Sequence, residues 1–470
     1  MKQVERLYRG DGRVGVLLGK QKTPKEGIKI RKSQFVFSVN MEGHCLLFHT
    51  LTRELLAIEP KYYDYFADDR LFPASILEDE IIKDFYANHF LVPEDVQESR
   101  IYIGVKNILV VKEELPEGIA RYTILPTTVC NARCFYCFEQ GIQYRKMSRN
   151  TVDDVLRFIV EHKTEKQKQI RITWFGGEPM CAADNIDRLC NGLSEAGIEF
   201  TAEMTSNGSL FDQESVKKAY EKWKVNEIQI TLDGLADEYA RRKQYIGDIG
   251  KPFERVIRNI HFLIAAGIKV TIRLNADNNN LEEIYKVLDF LKDEFTDEER
   301  KKMRVYAHSL FGSEGEGLVA CPAGASADGL EAKVQEINNS IVEKGLTVKD
   351  LKQLFTLKTH HCMATVPDRN VLIDATGKLY ACDTMAENMC YGNIKTGINS
   401  KAWERIIKPY TVQSECERCV FLPQCTEFAG CPHRAAYNNC YKQEKRKLES
   451  DIRFAWHMFG NREAVSLVSD

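Results

Sequence analysis

Between residues 121 and 310 strand-like and helix-like stretches alternate six times, which confines this part of the chain to a parallel α/β architecture. Strands are expected at Tyr122–Pro126, Gln169–Phe175, Glu199–Thr205, Glu227–Leu232, Lys269–Leu274 and Arg304–His308. Amphipathic helices such as Val152–His162 and Val256–Ala266 separate them. Right-handed crossovers turn six such units into a partial (β/α)6 barrel, whose ligand sites lie at the carboxyl ends of the strands. The loop after the first strand reads Cys130-Asn-Ala-Arg-Cys134-Phe-Tyr-Cys137. Electron-transfer clusters take four cysteines, whereas three on one loop leave an iron open to a small molecule. A zinc site is the competing reading, but zinc prefers four closed ligands and no His or Cys follows closely enough to complete the set.

Later strand ends carry polar motifs. Gly176-Gly177-Glu178-Pro179 follows the second strand, where two glycines let backbone approach a ligand and Glu178 can accept from an ammonium group. Ser206-Asn207-Gly208 follows the third, and Asp233-Gly234 ends the fourth. Read alone, each is also an ordinary turn. Arg273-Leu-Asn275 ends the fifth, where a solvated arginine is equally natural. Together with the cysteine loop they resemble the radical SAM superfamily. That resemblance implies a [4Fe–4S] cluster on Cys130, Cys134 and Cys137, and S-adenosylmethionine (SAM) on Tyr136, Gly176, Gly177, Glu178, Pro179, Ser206 and Asn207. It implies that Asp233 faces the reaction chamber and that Arg273 lies near SAM. It puts a SAM-carboxylate arginine at Arg241 or Arg242, with Arg242 preferred. Relatives often have His-Asp where this chain has Tyr239-Ala240, which leaves that alignment uncertain by one residue.

Eight of the 15 cysteines lie between residues 362 and 440. In a long chain such crowding favours metal or cluster binding over disulfides. The order is Cys362, then Gly377-x4-Cys382, then Cys416-x2-Cys419-x5-Cys425-x5-Cys431, then Cys440. It resembles the SPASM extension of peptide-modifying radical SAM enzymes, except that Cys425 and Cys431 enclose five residues where that family has three. The resemblance implies two auxiliary [4Fe–4S] clusters. Cys362, Cys382 and Cys431 would hold the nearer one, with Cys321, Cys390 or His361 as candidate fourth ligands. Cys416, Cys419, Cys425 and Cys440 would hold the distal one. A pair of zinc knuckles is the alternative. Asp383 follows Cys382, where related sulfatase maturases have a catalytic base; a surface aspartate is the plainer reading.

Upstream, residues 28–110 read as a small α+β unit: strands at Gln34–Asn40 and Cys45–His49, helices near 61–67 and 75–88, and a short strand at Phe90–Pro93. This pattern fits a winged-helix-like fold. It resembles the precursor-recognition segment of ribosomal-peptide maturases, in which a leader peptide adds a strand to a sheet edge. A structural cap on the barrel is the alternative. The expected domains are residues 1–112 for leader recognition, 113–311 for the barrel, 312–358 for a bridge and 359–470 for the SPASM unit.

A net charge of −3 and the absence of a long apolar stretch argue against nucleic-acid and membrane partners. The start of the chain lacks the apolar core of a secretion signal, so a cytoplasmic, well-reduced setting is expected. The resemblance implies a maturase that cleaves SAM reductively to a 5′-deoxyadenosyl radical and forms a thioether in a ribosomally made precursor peptide. A flavodoxin or ferredoxin would supply the electron. Carbon–carbon crosslinking, formylglycine formation, and a non-enzymatic electron-transfer or peptide-binding scaffold remain the alternatives.

Overall fold

The computed structural model describes residues 4–41, 43–112, 118–137, 139–310, 327–348, 351–359, 369–383, 385, 387–406, 416–424 and 440–460. Cys321, His361, Cys362, Cys425 and Cys431 lie outside these residues, and only the backbone of Cys440 is among them.

The amino-terminal unit runs β1 (Val4–Arg9), α1 (Gly12–Leu18), β2 (Ile30–Lys32), β3 (Val36–Met41), β4 (His44–His49), β5 (Glu54–Ile58), α2 (Glu80–Ala87), β6 (Leu91–Pro93) and α3 (Glu98–Lys112). Four strands form an antiparallel sheet in the order β1-β5-β4-β3, and β2 pairs with β6. The alternation of β3 shows in its burial: Phe37 and Val39 are buried, while Ser38 and Asn40 are exposed. Asp79 caps α2 by accepting from the Ile81 and Ile82 amides.

The barrel strands are β7 (Arg121–Thr127), β8 (Ile170–Gly176), β9 (Phe200–Ser206), β10 (Val225–Thr231), β11 (Lys269–Ala276) and β12 (Met303–Ser309). They pair in parallel and in sequence order. The intervening helices are α4 (Arg149–His162), α5 (Ala183–Glu195), α6 (Gln213–Glu221), α7 (Ala236–Lys243), α8 (Pro252–Ala265), α9 (Leu281–Glu294) and α10 (Asp297–Arg300). One side of each strand packs on these helices: Ile172, Trp174, Met204, Ile228, Ile272 and Val305 belong to a single buried cluster. The other side is mostly polar and carries Thr173, Glu203, Gln229, Arg273 and Tyr306. There Tyr306 donates to Gln229 Oε1 at 2.8 Å across β11, and Thr271 donates to Glu227 at 2.6 Å. A hydrogen-bonded polar face makes the inside of the barrel a chamber rather than a packed core.

Beyond the barrel come α11 (Ala327–Glu343), α12 (Lys352–Phe355), β13 (Asn370–Ile373), β14 (Lys378–Tyr380), β15 (Cys390–Asn393), β16 (Gly397–Ile398), α13 (Ser400–Ile406) and α14 (Cys440–Gly460). β13 pairs in parallel with β7, and β14, β15 and β16 follow antiparallel, so these strands extend the barrel sheet to ten. The cysteine-rich tail is therefore continuous with the barrel wall. Leu125, Leu372 and Tyr380 form an apolar patch there, with Phe175 and Cys390 packed against it. The amino-terminal sheet in turn buries Phe37, Val39, Leu46 and Phe48 against Leu354, Phe355, Phe421, Leu448 and Ile452 of the later segments.

Candidate functional site

The cysteine loop leaves the carboxyl end of β7 and is tied down by backbone. The Gly177 amide donates to Thr127 O at 3.2 Å and the Glu178 amide to Val129 O at 2.9 Å. A Cβ at Gly176 would come within 2.4 Å of Thr127 O, and one at Gly177 within 2.5 Å of Val129 O. Gly176 also has φ +111°, so both positions need glycine to bring the second motif against the first.

Glu178 is fully buried and joins the second motif to the third. Its carboxylate accepts from Ser206 Oγ at 2.8 Å, from the Asn207 amide at 2.7 Å and from the Met180 amide at 3.1 Å. Burial pushes its pKa up, and the hydrogen bonds pull against that shift. Asn207 Nδ2 donates to Asn131 Oδ1 at 2.7 Å, which links the third motif back to the cysteine loop. Pro179 opens the short turn that leads into α5. The first three motifs are thus one hydrogen-bonded assembly.

Asp233, also fully buried, anchors the fourth. Its Oδ1 accepts from the Asn275 amide at 2.9 Å, and its backbone carbonyl accepts from Asn280 Nδ2 at 3.0 Å. Its Oδ2 accepts from the Tyr136 hydroxyl. Lys243, 2% exposed, donates to Tyr136 Oη at 2.9 Å and to Thr231 Oγ1, and lies 3.4 Å from Asp233 Oδ2. Burial alone would lower the Lys243 pKa, but Tyr136 and Asp233 outweigh it and hold the ammonium.

The expectation for Arg242 meets a different geometry. Its guanidinium is fully buried and forms a double ion pair, with Asp277 at 3.0 Å and Glu238 at 2.5 Å. Arg241 turns outward and pairs with Glu238 at 2.7 Å. The cation that α7 delivers to the assembly is Lys243, which the motif reading passed over. The available signal was helical phase: Lys243 stands four residues after Tyr239 and so shares its face of α7. Arg273 donates from Nε to Asn275 Oδ1 at 2.8 Å, and its terminal nitrogens have no partner among the described residues.

The three loop cysteines are partly buried. Burial pushes the Cys130 thiol up to about 12 and the Cys137 thiol up to about 11, so thiolates stand there only beside a cation. Among the described residues no three His, Cys, Asp or Glu side chains converge as ligands of a single metal ion do. A cubane makes a different demand, because each thiolate takes its own iron and the sulfurs stand apart around a shared core. An all-thiol loop fits that donor set.

In the tail, Cys382 is buried and Asp383 is exposed, with Cys382 Sγ 3.5 Å from Asp383 Oδ1. Because β14 runs opposite to β7, both residues lie at the end of the sheet where β7 begins. Cys416 and Cys419 share a turn, with the Cys419 amide donating to Cys416 O at 3.0 Å. They pack beside Phe35, Tyr102 and Leu422, against the amino-terminal unit.

Residues 124–291 match the Radical SAM superfamily. Fe-coproporphyrin III synthase of Methanosarcina barkeri is 25% identical over 201 residues, 41% of this chain and 45% of that protein. The chain spans about half the length of the curated relatives it matches. Native anSMEcpe with bound AdoMet and the Cp18Cys peptide superposes with TM-score 0.55 at 16% identity, covering 73% of this chain and 99% of that one. Streptococcus suis SuiB bound to S-adenosylmethionine gives TM-score 0.50 at 15% identity, covering 89% and 97%. At these identities the likeness is one of fold: a partial α/β barrel with further amino- and carboxyl-terminal parts. The cysteine loop at the first strand end and the three motifs after it lie within the residues that match that superfamily.

Proposed function

We propose that this protein is a radical SAM/SPASM maturase that forms a thioether in a ribosomally made precursor peptide. The observation that carries the reading is the single hydrogen-bonded assembly of the cysteine loop, Gly176–Pro179, Ser206–Asn207 and Asp233 at the carboxyl end of the barrel sheet. When bound, the cluster and SAM together supply one-electron reductive cleavage of the sulfonium. Cys130, Cys134 and Cys137 would hold the iron. Glu178 holds the second and third motifs in register, so that the backbone around Gly177 and the Asn207 side chain can line a ligand. Arg273, with its terminal nitrogens uncommitted, is the guanidinium suited to the SAM carboxylate. The polar chamber face holds peptide groups by hydrogen bonds, and the Leu125–Tyr380 patch excludes water on the opposite wall.

Arg273→Gln removes a charge-assisted hydrogen bond, which costs about 1.5–3 kcal/mol, or roughly ten- to a hundredfold in SAM affinity. Equilibrium dialysis with labelled SAM measures it. Parent-like affinity would take Arg273 out of the site.

The tail is read as two auxiliary clusters and the amino-terminal unit as the leader-binding module, with a flavodoxin or ferredoxin as electron donor. Anaerobically reconstituted protein should hold about twelve irons, the content of three cubanes. Cys416→Ala should weaken the distal cluster and leave the SAM-site cluster spectroscopically intact. Stoichiometric zinc with only about four irons would support zinc knuckles instead. The deciding experiment incubates the reconstituted protein with SAM, reductant and the short peptide encoded beside its gene. A product two mass units lighter with one thiol fewer supports the thioether. Loss of two units with every thiol retained would mean a carbon–carbon link. Conversion of a Cys or Ser to an aldehyde would mean formylglycine formation, and no SAM binding at all would leave a scaffold.

A further inference from the structure

Lys243 grips the cysteine loop from both ends. Its carbonyl accepts from the Arg133 amide at 2.9 Å and lies 3.8 Å from Cys134 Sγ. The next residues continue the grip: Gln244 O also accepts from the Arg133 amide at 3.0 Å, and the Ile246 amide donates to Asn131 O at 2.8 Å. Gln244 takes the left-handed φ of 48° that ends α7 and turns these groups toward the loop. The Lys243 side chain reaches the far half of the same loop through Tyr136 Oη. The ammonium donates to Tyr136 and Thr231 and pairs with Asp233 Oδ2 at 3.4 Å, so its partners are all groups of the protein itself. A buried ammonium partnered in this way is arranged to hold its neighbours rather than to take up a ligand. It fixes the groups around it and places a positive charge on Tyr136, which stands between Cys134 and Cys137 in the loop.

We propose that Lys243 is a positioning residue for the cysteine loop, holding its first half by the backbone carbonyl and its second half through Tyr136, and that its buried charge favours uptake of an electron by the cluster the loop would hold. The inference rests on the reading of this loop as an iron–sulfur site.

The test uses the reconstituted full-length protein and its Lys243→Met, Lys243→Arg and Tyr136→Phe variants. The readouts are the midpoint potential and electron paramagnetic line shape of the cluster whose signal responds to added SAM. Lys243→Met should move that potential to more negative values, so that a fixed reductant gives a roughly tenfold smaller ratio of reduced to oxidised cluster. Lys243→Arg keeps the charge and should restore most of the parent ratio, which a purely steric role does not predict. Tyr136→Phe keeps the charge but frees the second half of the loop. Its potential should stay near the parent's while its SAM-dependent line shape broadens. A Lys243→Met protein with the parent's potential and line shape would overturn the inference. If that variant does not accumulate, Lys243→Met with Asp233→Asn leaves no lone carboxylate buried and takes its place. A parent-like line shape in the double variant overturns the inference equally. A parent protein that builds no SAM-responsive cluster would instead refute the reading of the loop and take this inference with it.

Discussion

Protein with Cys130, Cys134 and Cys137 all replaced by Ala forms no 5′-deoxyadenosine from SAM and holds about four fewer irons per chain, the content of one cubane. The loop should survive the change, because its shape is set elsewhere. Arg133 is held by the Lys243 and Gln244 carbonyls, Asn131 by Ile246, and Tyr136 by Asp233 and Lys243. None of these bonds uses a cysteine sulfur, and the three thiols are only partly buried, so the cavities left are small. Circular dichroism and the melting temperature should therefore stay near the parent's while activity disappears. The auxiliary clusters are read on other cysteines and should keep about eight irons. Residual deoxyadenosine in the triple variant would sink the assignment of the loop.

The barrel was legible because its strands are buried on one side and polar on the other. Ile172 and Trp174 alternate with Thr173, and Ile228 and Ile230 with Gln229, so period-two reading finds them and errs only at their ends. β5 escaped for the opposite reason. Glu54–Ile58 is buried at every position and shows no alternation. β1 and α1 precede residue 28, where the alternating pattern of the amino-terminal unit begins. The winged-helix-like expectation supplied three of the strands but missed the four-stranded sheet that β1 and β5 complete. The merger of the tail with the barrel sheet was also hidden. β13 and β14 are four and three residues long, and cysteine spacing does not say which strand they pair with. Within the site, Glu178 stands bonded to Ser206 and Asn207, a link that the motifs read one by one do not show. Arg242 and Lys243 are parted by helical phase. At the end of α7 one step of the helix turns a side chain by about 100°, from Asp277 to the chamber.

Replacing Ser38 and Asn40 together by proline should weaken binding of the precursor's leader by roughly ten- to a hundredfold while leaving leader-independent SAM cleavage intact. β3 is an edge of the amino-terminal sheet. The Thr50 amide donates to Phe35 O at 2.8 Å, which puts Phe35, Phe37 and Val39 on the side bonded to β4. The amides of Val36, Ser38 and Asn40 therefore point away from β4. That of Val36 is already spent on Ser33 O at 3.1 Å, which leaves Ser38 and Asn40 as the donors an added strand would meet. Both side chains are exposed, and proline is tolerated on an edge, so the sheet should persist. Two lost ladder bonds cost about 1–3 kcal/mol together, which sets the expected range. Alanine at both positions keeps the amides and should bind like the parent. Deleting residues 1–110 is a poorer experiment than the separate-domain expectation suggests. It would strip the cover from Leu354, Phe355, Phe421, Leu448 and Ile452, which share a core with β3 and β4, and so disturb the tail as well as the leader site. The measurement is fluorescence anisotropy of a labelled leader, with circular dichroism to confirm folding. A folded proline variant that binds leader as tightly as the alanine control would reduce the amino-terminal sheet to a structural cap.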